Sequence, residues 1–171
     1  MTRRLQILVI GFGRDHCPDD AYQAAYKAGA EVAKRGGLLL TGGLGGVMEG
    51  ASRGASEAGG FVIGIIPQDK KTEANPFCDA VVATGIGFAR DFVTANSADA
   101  IIVVGGGAGT LIEMAAAYQK RIPIVAIKGT GGIADRLVDT YLDDRKFELI
   151  LSANTPEEAV KTAFSLMDAS H

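Results

Sequence analysis

Two stretches of the chain repeat one pattern. Gly42-Gly43-Leu44-Gly45-Gly46-Val47-Met48-Glu49 and Gly106-Gly107-Ala108-Gly109-Thr110-Leu111-Ile112-Glu113 both read GGxGxxxE. Glycine lets the backbone approach an anion closely, so Gly42, Gly43, Gly45, Gly46, Gly106, Gly107 and Gly109 are candidate phosphate-binding residues, with Thr110 adding a hydroxyl. Glu113 falls about one helical turn beyond the second glycine run, and Arg90 opens the helical stretch before it. A carboxylate and a guanidinium converging beside a phosphate cradle form a candidate catalytic pair. The carboxylate would stabilise developing positive charge, and the arginine would hold or protonate an anion. Two plainer readings stand beside these: the glycines could serve only as tight strand-to-helix turns, and Arg90 with Asp91 could form only a helix-terminal ion pair. No Lys-Ser/Thr follows either run, which disfavours Walker-type nucleotide hydrolysis. The GxGxxG dinucleotide fingerprint is also absent after the first apolar run, where the chain reads Gly11-Phe12-Gly13-Arg14-Asp15-His16. Gly11, Gly13 and Asp91 are further candidate ligand contacts, and His16 belongs to the same loop.

These residues need elements that hold them together. Short apolar runs at 5–10, 38–41, 61–66, 80–83, 100–104 and 124–127 read as strands, mostly apolar throughout, as strands covered on both faces must be. Stretches of helical periodicity at 20–35, 47–58, 88–97, 110–120 and 133–143, and a last one after Thr155, alternate with them. The alternation predicts a single α/β domain over residues 1–171, with a Rossmann-like three-layer αβα fold and a mainly parallel sheet. Asp19 and Asp20 are expected to cap the first helix, Gly36-Gly37 to end it, and Thr155-Pro156-Glu157-Glu158 to start the last. Strand ends of a parallel sheet share one edge, so both glycine loops and the helix near Phe88 should surround one crevice. Residues 67–79, with two prolines and no period, read as a long surface loop flanking it. Leu111, Met114 and Tyr118 are spaced for packing, in the core or at a subunit interface.

Composition narrows the partners. Of 171 residues, 47% are hydrophobic and 22% charged, with a formal net charge of −3, so no broad basic face awaits nucleic acid or an acidic membrane. The expected partner is a small molecule. Cys17 and Cys78 lack metal-ligand spacing, so no metal site or disulfide framework is expected, and a reducing, cytoplasmic location fits. No apolar run suggests a leader or a membrane span, and His171 is expected to be disordered.

The second glycine run resembles the PGGxGTxxE signature of the Lonely Guy (LOG) family, whose members once carried a lysine decarboxylase label. Thr41 to Met48 resembles that family's first glycine loop, and Gly87-Phe88-Ala89-Arg90-Asp91 stands where it has an arginine motif. The similarity covers most of the chain. Ala89-Arg90-Asp91 followed by Asn96 is closer still to a branch containing the molybdenum cofactor carrier proteins. For an enzyme, the resemblance implies a phosphoribohydrolase that cleaves the N-glycosidic bond of a nucleoside 5′-monophosphate. Glu113 would then stabilise the oxocarbenium-like ribose or position water, Arg90 would assist, and residues 106–110 would hold the phosphate. Alternatively it implies a protein that carries the molybdenum cofactor, a pterin phosphate, without turnover and needs no cofactor of its own. A third reading is a nucleotide-sensing regulator. Two departures favour the carrier: the signature proline is Gly105, and Asp91 stands where the hydrolases usually have lysine. The family also implies a homodimer or homotetramer. Decarboxylation would need a Schiff-base lysine for pyridoxal phosphate, and only Lys128, beyond a strand end, could be considered.

Overall fold

The structure, a computed structural model, describes residues 3–168, so the C-terminal His171 lies outside the described residues. The apolar runs pair as seven strands: β1 (Gln6–Gly11), β2 (Leu38–Thr41), β3 (Phe61–Ile66), β4 (Ala80–Ala83), β5 (Ala100–Val104), β6 (Ile124–Ile127) and β7 (Leu151–Ala153). Every pairing is parallel, in the order β4-β3-β2-β1-β5-β6-β7. Six helices connect them: α1 (Asp19–Lys34), α2 (Val47–Glu57), α3 (Arg90–Asn96), α4 (Ala108–Gln119), α5 (Gly132–Leu137) and α6 (Pro156–Asp168). Residues of β1 alternate between the two cores this creates. Ile7 and Val9 pack with Ala25, Ala51 and Val160 of α1, α2 and α6, whereas Leu8 and Ile10 pack with Ala95, Met114 and Ala134 of α3, α4 and α5. This is the three-layer Rossmann-like αβα architecture, with burial on both sheet faces explaining the uninterrupted apolar strands.

On the first face, α1 and α2 meet almost backbone to backbone. A Cβ on Gly54 would stand 1.9 Å from Tyr26 O, and one on Gly29 would stand 2.0 Å from Ala51 O. Small residues are what that contact admits. Met114 and Tyr118 are buried, and the Tyr118 hydroxyl donates to Asp143 Oδ1 (2.9 Å) and accepts from the Phe147 amide (3.0 Å). Leu111, expected in the core or at a subunit interface, faces outward.

Two elements differ from expectation. The helix expected over 133–143 stops at Leu137, because Asp139 has φ of +60° and its amide bonds Ile150 O at 2.8 Å. The following chain pairs with the approach to β7, returning Ile150 N to Thr140 O at 2.9 Å. Strand β7 itself was not legible, being three residues with a central serine. The end signals of α1 and α6 also separate. Asp19 and Asp20 do not cap α1: Pro18 holds the cap position, and the two acids lie in the first turn, where Asp20 Oδ1 accepts the Ala21 amide and both meet the positive end of the helix dipole. Gly36, with φ of +76°, makes the left-handed exit expected of it. Thr155 Oγ1 accepts the Glu158 amide while Glu158 Oε2 accepts the Asn154 amide, a reciprocal start to α6. Among the described residues no helix is long and apolar enough to cross a membrane.

Candidate functional site

Strand order reverses direction at β1, which lies between β2 and β5. Ligand crevices of parallel sheets open at such a point, outside the strands' carboxyl ends. The loops leaving β1, β2 and β5 carry Gly11 and Gly13, the first glycine run and the second, and α3 starts beside them. The cavity there has a volume of about 240 Å³. Its walls include Gly11, Gly13, Gly42, Gly109 and Thr110, together with Arg90, Asp91 and Glu113. The expected crevice therefore exists, but the two glycine runs take unequal parts in it.

The first run is filled by the protein itself. Arg90 Nη1 donates to Gly42 O and to Ile65 O, both at 2.6 Å, tying the end of β2 to the end of β3. The amide of Val47, first in α2, bonds Phe12 O at 2.9 Å, and the Asn75 amide takes Gly43 O at 2.7 Å. Gly43 and Gly46 are buried in these contacts and do not line the cavity. The second run is open. Gly107, Ala108 and Gly109 are exposed, and the amides of Ala108, Gly109 and Thr110 form no hydrogen bond among the described residues. They stand at the positive end of the 12-residue helix α4, a ready anion site. Thr110 departs from its expected role, because its hydroxyl donates to Gly11 O at 3.1 Å and braces α4 against β1. Gly106 and Gly107 face a neighbouring cavity with Phe12 and Arg136.

The loop before α4 also explains the missing signature proline. Gly105 has φ of +61°, and the Phe12 ring lies 2.0 Å from where its Cβ would be. Proline, fixed near −65°, cannot adopt that backbone.

Arg90 and Asp91 do form the helix-terminal ion pair, Nε to Oδ1 at 3.1 Å, yet both remain in the cavity wall. Nη2 of Arg90 has no partner among the described residues. Glu113 is 8% exposed. Burial first, then the neighbouring Asp91 charge, raises its carboxyl to about 8. Burial also raises Asp91, but the Arg90 guanidinium opposes that shift, so Glu113 is the member of the pair that holds a proton at neutral pH. Thr94, which the sequence reading did not single out, opposes this shift without reversing it. Its Oγ1 lies 2.9 Å from both Asp91 O and Glu113 Oε1, and donation to Glu113 favours the charged carboxylate.

Other residues settle at the periphery. His16 lines a shallow cavity beside Gly11 and Gly107. Lys128 pairs with Asp139 at 2.9 Å on the surface, away from the crevice. Among the described residues no group of three His, Cys, Asp or Glu side chains is placed to hold a metal ion. Met48 and Phe88 line the main cavity without a sequence signal beyond their neighbourhood to motif residues.

Known proteins are similar to this one over nearly the whole chain. An uncharacterized protein from Archaeoglobus fulgidus is 40% identical over 161 residues, covering 94% of this chain and 95% of its own. The molybdenum cofactor binding protein of the phototrophic bacterium Rippkaea orientalis superimposes with a TM-score of 0.86 at 30% identity, over 98% of this chain and 99% of its own. The molybdenum cofactor carrier protein of Chlamydomonas reinhardtii does so with a TM-score of 0.80 at 31% identity, over 97% and 99%. Residues 4–160, which span both glycine runs, Arg90 and Glu113, match one family throughout, and the chain belongs to the SLOG cluster4 family.

Proposed function

We propose that this protein binds a small phosphate-terminated pterin of the molybdenum cofactor type and carries it without turnover. The observation that carries the reading is the open end of α4, where three amides have no partner among the described residues and two of their residues, Gly109 and Thr110, line a crevice whose arginine is held by backbone carbonyls. A phosphate dianion fits those amides and the helix dipole, as donors that need no rearrangement. Asp91, Glu113 and the Arg90 Nη2 then offer hydrogen bonds to the polar remainder of the ligand. Two proteins of about the same fold and length at 30% and 31% identity, described as binding or carrying this cofactor, support the same ligand class.

Incubation with molybdenum cofactor released from a donor enzyme under anaerobic conditions tests the proposal. The protein should retain the cofactor through gel filtration, lose it to excess inorganic phosphate, and return it chemically unchanged. Failure to retain it would refute the carrier reading.

A hydrolytic reading is favoured by the burial of Glu113 beside Asp91, which pushes its carboxyl up to about 8, toward the protonated form a general acid needs. On that reading AMP, GMP or a related monophosphate releases free base, and Glu113→Gln abolishes release while leaving binding. The absence of release from these monophosphates would remove it.

We also propose a homodimer or homotetramer. Phe88 is 86% exposed at the cavity mouth, beside outward-facing Phe92, Val93, Leu111 and Ile112 of α3 and α4. A contiguous apolar surface of this kind is usually covered. Light scattering at micromolar concentration should give a multiple of the chain mass, and a monomer would oppose it.

A further inference from the structure

The loop over residues 67–79 is fastened to the first glycine run rather than lying free on the surface. The Asn75 side chain donates to Leu44 O (3.0 Å) and Ser52 Oγ (3.3 Å), and the Asn75 amide donates to Gly43 O. Between this loop and the one after β1 lies a second cavity of about 430 Å³, which meets the Glu113 cavity at Gly13 and Met48. Leu44 and Met48 give it apolar walls, and Arg14, Asp15, Gln68 and Glu73 give it polar ones. The Arg14 and Glu73 side chains form neither hydrogen bonds nor ion pairs among the described residues, although the Arg14 side chain lies along Gly45, whose Cβ would stand 2.6 Å from Nε. Gln68 carries the buried side-chain oxygen that has no partner among the described residues. An enclosed acceptor without a donor is unfavourable, and turning the amide toward a ligand donor relieves it.

We infer that this second cavity reads the 2-amino-4-oxopyrimidine edge shared by pterins and guanine, with Gln68 Oε1 and the Glu73 carboxylate accepting its N–H groups and Arg14 donating to its carbonyl oxygen. The inference rests on the phosphate reading above, since a ligand anchored at α4 and crossing Gly13 and Met48 brings its ring here. The donor and acceptor types decide the edge. On the loop over 67–79 stand two acceptors, Gln68 and Glu73, and on the facing loop a cation, Arg14, beside a further acceptor, Asp15; these accept two adjacent N–H donors and meet a carbonyl, whereas adenine presents an amino donor beside a ring acceptor and offers Arg14 no carbonyl. The apolar walls suit a flat heterocycle.

Calorimetry with GMP, IMP and AMP tests this, with guanosine and 6-hydroxymethylpterin as phosphate-free probes. GMP should bind at least tenfold more tightly than AMP and severalfold more tightly than IMP, which lacks the 2-amino group. Glu73→Gln and Gln68→Leu should bring GMP down to the level of IMP, and Arg14→Met should weaken GMP and IMP but not AMP. Arg14 and Glu73 are exposed, so these variants keep the fold. Equal affinities for the three nucleotides, all displaced by inorganic phosphate, would overturn the inference while sparing the phosphate reading. GMP that binds no more tightly than guanosine, depends on Gln68 and is not displaced by inorganic phosphate would uphold it and overturn the phosphate reading. No binding by any probe would remove both.

Discussion

The two glycine runs have the same pattern and opposite fates. The run after β2 is closed by Arg90, Asn75 and Phe12, whereas the run after β5 leaves three amides free at the head of α4. A motif therefore specifies a backbone path, and what the path is for depends on which distant side chains arrive to occupy it. Gly42 and Arg90 are 48 residues apart in the chain, and only the fold brings the guanidinium onto the loop. Arg90, read from sequence as half of a catalytic pair, is in the structure also the fastening of the closed run.

The sharpest way to break this contrast is to remove the fastening. Arg90→Ala leaves Gly42 O and Ile65 O without their buried donor and Asp91 without its cation, and should cost about 3–5 kcal/mol of stability in chemical denaturation. A loss below about 1 kcal/mol would mean that Arg90 is not what closes the first run.

Equivalent positions within the repeat should then respond unequally. Gly43 has φ of +72°, and its Cβ would lie 2.5 Å from Ile66 Cγ2, so Gly43→Ala should destabilise by about 2–4 kcal/mol. Gly107 has nothing within 4 Å of its Cβ position, so Gly107→Ala should stay within about 0.5 kcal/mol. Gly107→Leu should also fold, yet it should block phosphate at the α4 amides in a binding titration. Equal stability losses at Gly43 and Gly107 would erase the distinction.

The next comparison uses pH. The Glu113 carboxyl is at about 8 when folded and 4.5 when free, so between those values the folded protein holds a proton that the unfolded chain releases. Its contribution to stability is complete below about 4.5 and is lost as pH rises through about 8. Glu113→Gln cannot lose a proton there, so the variant should gain stability relative to the parent between pH 5 and pH 8.5. Parallel denaturation profiles would show that Glu113 titrates normally. A modest effect is expected for Thr110→Ala, which removes one hydrogen bond to Gly11 O and should cost about 1 kcal/mol. Its influence on phosphate binding should come only through looser placement of α4, and Thr110→Ser should restore both.

The sequence disclosed the layers, the six longer strands and the loops at whose junction the crevice opens, because apolar strands and glycine turns are local signals. It did not disclose β7 or the early end of α5, which depend on pairing between residues 139–140 and 150. Nor did it disclose Thr94, whose role rests on a hydroxyl caught between two acceptors, or Gln68, whose place is fixed by a loop held through Asn75. Such residues have ordinary types at ordinary spacings, and only packing makes them particular.

Phe12 and Gly105 occupy one volume between them. Proline at 105 would need both a smaller residue 12 and a different backbone path before α4, because φ there is +61°. Relatives with proline at this position should therefore carry a small residue in place of the aromatic ring, a pairing that their sequences can check.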